Sequence, residues 1–220
     1  MGHVAVIGLG TFGTAVAETL VKLGHEVVAV DQDPGRVDAL RDLATHAVCL
    51  DARETEALRA HGLETVDVAV VAVGEAFETA ILASVNLKRE LGVPKVVARA
   101  RRKREKPILL AVGVDEVICP EEDAGIRLGH ELDNPEIHGW NALSPKFSVA
   151  QLDIPRALYH KTVEEAELLE KLELNLVAIL RNRQGSPHLL VAGPKTPLEP
   201  GDQLFLAGEN KNLDRFIEVD

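Results

Sequence analysis

The sequence predicts an α/β chain: a doubly wound parallel sheet followed by a small α+β domain. Three observations carry that reading. Short apolar runs alternate with segments of helical spacing up to about residue 133. Hydrophobic residues make up 46% of the 220 positions but aromatics only 3%, the apolar content being mostly Val, Leu and Ala. After a proline-containing break the texture changes. Buried parallel strands with helices packed on them are built from such material.

Each element follows in turn. Val4 to Ile7 is a continuous apolar run ended by Gly8, which suits a fully buried strand. Phe12, Ala15, Val16, Leu20, Val21 and Leu23 then fall near helical spacing, and Gly24 stops that helix. Val27 to Val30 reads as the second strand, ending at Asp31. A helix from Pro34 to Leu43 has its proline in the first turn, where the missing N–H costs nothing. Ala47 to Leu50 is strand three, closed by Asp51 and Ala52, and Glu54 to His61 a short helix. Val66 to Val73 is strand four, followed by a helix from Phe77 to Leu91. Gly92-Val93-Pro94 leads into strand five, Lys95 to Ala98. Arg101 to Ala111 reads as helix, Glu116 to Cys119 as strand six, and Glu122 to Leu132 as a further helix. This rhythm implies right-handed crossovers and a parallel sheet over residues 1–133, in the common strand order 3-2-1-4-5-6.

Residues 134–147 hold two prolines and the single tryptophan, Trp140, and read as a linker in which Trp140 anchors the two parts. Residues 148–220 read as the small α+β domain. Ser148 to Ile154, Asn175 to Leu180, His188 to Val191 and Gln203 to Leu206 are its strands; Val163 to Leu172 and Asn210 to Phe216 are its helices. Glu199-Pro200-Gly201-Asp202 forms a turn.

With 24 Lys plus Arg against 35 Asp plus Glu, the formal net charge is -11. A chain this acidic repels a phosphate backbone, which argues against nucleic acid as a partner. The run Arg99 to Lys106 is a local basic exception, read as a solvated helix face because no aromatics interleave with it. Cys49 and Cys119 form no C-x-x-C pair and read as core thiols at opposite sheet edges. No apolar run reaches the roughly 18 residues of a membrane span, and no basic leader precedes the first strand, so the expectation is a soluble cytoplasmic protein without membrane insertion.

Gly8-Leu9-Gly10-Thr11-Phe12-Gly13 fits G-x-G-x-x-G. It follows a predicted strand and opens a predicted helix, and Asp31 stands at the end of the next strand, near the expected spacing of about 20 residues. This is the fingerprint of a Rossmann-type adenine-nucleotide site. Gly8 permits the tight turn, Gly10 lets the backbone approach phosphate oxygens, and Gly13 lets the helix pack closely on the strand. The first helical N–H groups then face the phosphates, and Asp31 accepts hydrogen bonds from the ribose hydroxyls, which disfavours a 2′-phosphate. Other candidates lie at the carboxyl ends of strands, where open α/β sheets bind ligands. They are Asp51, placed to bond adenine or to fix Arg53; Ala72-Val73-Gly74; Arg99, within reach of phosphate; and Glu121, ending strand six, a carboxylate able to hold Mg or Ca near the phosphates. The sequence carries no G-x-S-x-G, H-E-x-x-H or P-loop, and His160 and His188 lack an orienting carboxylate at helical spacing. It reads as a binding module, not an enzyme; an NAD-dependent oxidoreductase is the rival reading.

On the runs VAVIGLGTFG, HEVVAVD, ATHAV, GVDEVICPE and PLEPGDQLFLAG, the chain resembles the regulatory RCK (KTN) subunits of bacterial Trk/Ktr potassium-uptake systems over nearly its whole length. The resemblance implies an RCK N-terminal domain followed by an RCK C-terminal domain. It also implies ATP, ADP or NAD(H) as ligand, and a dimer building an octameric cytoplasmic ring under a membrane potassium-translocating subunit. It maps nucleotide contacts onto Gly8, Gly10, Phe12, Gly13, Asp31, Asp33, Asp51, Arg99 and Glu121, with Glu121 near a divalent cation. Regulation of another cation pathway is the variant reading. Two departures stand out. Thr11 replaces the Arg that ATP-preferring relatives often carry in the glycine loop. The stretch Leu168 to Asn175 lacks the Arg with which some relatives bind cyclic di-AMP, so that ligand is not expected.

Overall fold

The structure is a computed structural model describing residues 2–74, 76–183 and 185–218. It divides into two compact units, residues 1–122 and 123–220, and the division falls inside one helix.

In the first unit the elements alternate without interruption: β1 (His3–Ile7), α1 (Thr11–Lys22), β2 (Glu26–Asp31), α2 (Pro34–Leu40), β3 (His46–Cys49), α3 (Thr55–Ala60), β4 (Val68–Val71), α4 (Phe77–Val85), β5 (Lys95–Arg99), α5 (Lys106–Ala111), β6 (Glu116–Ile118) and α6 (Pro120–Asp133). The six strands are parallel in the order β3-β2-β1-β4-β5-β6. Period-2 alternation feeds two cores. Ala5, Ile7, Val30, Ala69, Val71, Val96 and Ala98 pack on one face, and Val4, Val6, Val27, Ala29 and Val70 on the other. A strand buried on both faces needs apolar residues throughout, which is why these runs are continuous rather than alternating.

The second unit holds β7 (Ile137–Ala142), β8 (Phe147–Asp153), α7 (Val163–Ala166), α8 (Leu168–Leu172), β9 (Asn175–Arg183), β10 (Ser186–Leu190), β11 (Gln203–Glu209) and α9 (Asn210–Ile217). Its sheet runs β10-β9-β11-β8-β7 and every pairing is antiparallel. Arg181, 5% exposed, is buried here against Asp202, to which it donates from Nε and Nη2 at 2.7 and 2.6 Å. It also reaches the Glu199 carboxylate and the Pro197 carbonyl.

The structure corrects several expectations. Residues 134–147 are not a bare linker: they contain β7, and Trp140 sits in the core of the second unit, stacked on His130 at 4.2 Å. The helix expected over 163–172 is broken at Glu167, which takes φ +47°. The helix expected over 77–91 changes to a π turn at Asn86–Glu90, and that expected over 101–111 is α-helical only from Lys106. Cys49 is exposed on edge strand β3, because an edge strand lacks the covering that central strands have; Cys119 is buried, as expected of a core thiol. Among the described residues no helix is long and apolar enough to cross a membrane.

Candidate nucleotide-binding site

The carboxyl ends of β1, β2, β3, β4 and β5 share one edge of the sheet, and the candidate residues gather there. The glycine loop is tied at both flanks. Gly8 donates its N–H to Val30 O at 2.7 Å, and Ala72, the residue after β4, donates its N–H to Ile7 O at 2.7 Å. Gly8 takes φ +95°, and an added Cβ would lie 3.0 Å from Val73 N. Gly13 is closer still: a Cβ there would stand 1.8 Å from Gly8 O. Both glycines are thus required by the loop itself. Gly10 differs. It has φ -71°, and a Cβ there would meet nothing within 4 Å among the described residues. Its side of the loop is open at the start of α1, where the first N–H groups of a helix lack intrahelical acceptors. Thr11 is exposed there and Phe12 half-buried.

Asp31 closes β2 and is 7% exposed. Its Oδ2 accepts from Leu9 N–H at 2.6 Å and its Oδ1 from Asp33 N–H at 2.9 Å. A carboxylate oxygen accepts about two hydrogen bonds, so each retains capacity for a hydroxyl. Asp33 caps α2, accepting from Gly35 N–H at 2.8 Å, and Arg36 on that helix reaches within 3.6 Å of Asp31. Beyond β3, Asp51 is held by Arg53 through side chain and backbone, the closest contact being 2.6 Å. That guanidinium keeps the Asp51 carboxyl below the usual carboxylate range.

Arg99 ends β5 and crosses toward the glycine loop. Its guanidinium carbon lies 5.7 Å from the Phe12 ring centroid, and a Cβ on Gly74 would stand 2.7 Å from Arg99 Nη1. Gly74 therefore makes the space Arg99 occupies, and Ala72 and Val73 form the floor beneath Gly8 and Gly13. Arg99 Nη2 donates to Glu121 Oε1, while its buried Nε has no hydrogen-bond partner among the described residues. Glu121 does not end β6, as the sequence reading had it; it lies in the first turn of α6. No group of three or more His, Cys, Asp or Glu able to hold a metal occurs among the described residues.

The edge thus brings together Gly8, Gly10, Thr11, Phe12, Gly13, Asp31 and Asp33, with Ala72, Val73, Gly74, Arg99 and Glu121 on the β4–β6 side and Asp51 and Ala52 on the β3 side. Sequence reading missed Arg36, whose signal was its place in the first turn after Asp33. It also missed Asn86, which is buried and donates to Arg53 O at 2.8 Å and Ala52 O at 3.2 Å behind Asp51; its only signal was a polar residue in an apolar helical run.

The TrkA-N domain family matches residues 4–120 and the TrkA-C domain family residues 150–219. The chain is 30% identical over 212 residues to Ktr system potassium uptake protein A of Bacillus subtilis (strain 168), covering 96% of this chain and 94% of that protein. It is 27% identical to Trk system potassium uptake protein TrkA of Mycobacterium tuberculosis (strain H37Rv), over 92% of this chain and 90% of that one. Among solved structures, the GsuK RCK domain superposes with a TM-score of 0.53 at 24% identity, covering 99% of this chain and 46% of that chain. The TrkA-N domain of the inner membrane protein ybaL from Escherichia coli gives 0.54 at 21%, over 60% of this chain and 97% of that one. Both share the fold. With the two domains in order and similarity along nearly its full length, the chain belongs to the TrkA family of paired TrkA-N and TrkA-C domains.

Proposed function

We propose that this chain is a nucleotide-sensing regulatory subunit of a membrane potassium-uptake system. One observation carries the nucleotide site: Asp31 is locked to the glycine loop through Leu9 N–H while the Gly10 face beside it stays open. Phosphates fit the open helix N-terminus, the ribose the spare lone pairs of Asp31, and the base the Asp51 side. Arg99, whose buried Nε–H lacks an acceptor among the described residues, is suited to a phosphate oxygen. A phosphate that recruits Arg99 releases Glu121, which is then able to take Mg or Ca. The ligand class is ATP/ADP or NAD(H). The potassium system is supported by the names of relatives matched along nearly their whole length, and the membrane partner follows from reading the chain as the regulatory part of such a system.

Regulation in this reading is a difference in nucleotide affinity between two arrangements of a ring of subunits, peripheral to the inner face of the membrane. Moving an equilibrium from 1:99 to 99:1 takes about 5.5 kcal/mol of differential binding, which several sites in one ring supply together. The test is potassium-limited growth of cells carrying a Ktr-type membrane subunit but no regulatory subunit. Wild-type chain restores growth and Asp31→Ala does not. Equal rescue by both removes the nucleotide site from the regulation, and rescue by neither removes the potassium reading.

A further inference from the structure

The helix after β4 does not end as a regular α-helix. At Asn86 the backbone switches to a π turn, closed by Leu91 N–H donating to Asn86 O, five residues back, at 2.9 Å. Such single-turn widenings cluster at functional sites. Asn86 is itself 8% exposed, in a stretch otherwise packed with Ala80, Ala83 and Leu87. Asparagine is a mediocre helix former, and a buried amide is costly unless it is hydrogen-bonded. Its Nδ2 is satisfied by two successive carbonyls: it donates to Arg53 O at 2.8 Å and Ala52 O at 3.2 Å. A second tie, from Arg59 Nη2 to Glu90 O at 3.2 Å, joins the same turn to α3.

Those two carbonyls belong to the loop that carries Asp51 and Arg53. Along the sheet edge the order is glycine loop on β1, Asp31 on β2, then this loop on β3, with Leu50 N–H bonded to Asp31 O at 3.1 Å. A nucleotide with phosphates on the first and ribose on the second directs its base at the third. Resting on that nucleotide reading, we propose that Asn86 is a positioning residue for base recognition: it touches no ligand, but fixes the Asp51–Arg53 loop in the place from which that loop meets adenine.

The test compares ligands that share phosphates and differ in the base. Titration calorimetry with ADP and with inorganic pyrophosphate is run on the full chain and on Asn86→Leu, which keeps the bulk and removes the donor. ADP binding weakens about tenfold, the cost of losing donors to buried acceptors, and pyrophosphate binding stays within twofold. Asn86→Ser leaves room for a water to bridge the two carbonyls and is measured alongside; where Asn86→Leu does not accumulate folded, it carries the same comparison with a smaller ADP loss. Equal losses for both ligands make Asn86 a general scaffold residue, and no loss for either makes it irrelevant; both overturn the proposal. A wild-type chain that binds neither ligand instead overturns the nucleotide reading beneath it.

Discussion

Gly10→Ala separates ligand contact from fold more cleanly than any other substitution in the loop. Gly10 has φ -71° and ψ -175°, a backbone that alanine adopts without strain, and the new Cβ meets no heavy atom of the described residues within 4 Å. The unliganded protein therefore loses nothing. Restricting the unfolded chain adds about 0.4–1 kcal/mol, or roughly 1–4 °C in Tm for a chain of this size. The same methyl projects into the open space at the start of α1, where a phosphate needs close backbone approach. With ADP at 100 times the wild-type Kd, the wild type gains about 2.7 kcal/mol. If the methyl raises Kd about 100-fold, the variant gains only about 0.4 kcal/mol at that concentration. Thermal midpoints with and without ADP, backed by a calorimetric Kd, read both numbers. Gly13→Ala is the contrast, since its Cβ would stand 1.8 Å from Gly8 O and the loop itself must move. Gly10→Ala binding ADP with the wild-type Kd would refute the phosphate placement.

Three further predictions concern charge. Arg181→Leu leaves Asp202, 1% exposed, buried without its cation and destabilises the second unit by about 3–5 kcal/mol; Asp202→Leu in addition recovers part of it, and a neutral single variant in denaturant titration would count against the reading. The carboxyls of Asp51, held down chiefly by Arg53, and Asp115, held down chiefly by Lys88, lie below their unfolded values. Their stabilisation is therefore present above about pH 4 and is lost as pH falls through the lowered folded values, so Asp115→Asn flattens the acid limb of Tm against pH. Glu121→Gln removes the charge that holds Arg99, weakens that contact and tightens pyrophosphate binding about threefold without magnesium; unchanged calorimetric affinity would mean the Arg99–Glu121 contact does not compete with phosphate.

The parallel sheet was legible because most of its strands are short apolar runs ended by Gly, Asp or Pro, and burial of the central ones on both faces leaves no other pattern. The glycine loop and Asp31 were legible for the same reason: their spacing is dictated by backbone geometry. What escaped were features decided by packing between distant segments. β7 hides in a stretch whose Pro and Gly content mimics a linker, yet its Trp140 finds a buried place beside β8. The break at Glu167 lacks the glycine that normally marks φ above zero. Glu121 moved from strand to helix because Pro120 starts α6 two residues earlier than the hydrophobic spacing suggested. Asn86 showed only as a polar residue in an apolar run, because its partners are carbonyl oxygens, which no side-chain pattern records.

The central claim, an adenine nucleotide held by the glycine loop and Asp31, is tested most directly by the thermal midpoint of the purified chain with ATP, ADP, NAD and NADH, each with and without magnesium. At 100 times its Kd a bound nucleotide adds about 2.7 kcal/mol, and the account predicts such a rise for at least one of the four, abolished in Asp31→Ala. No rise with any of them, or one that survives Asp31→Ala undiminished, would contradict it.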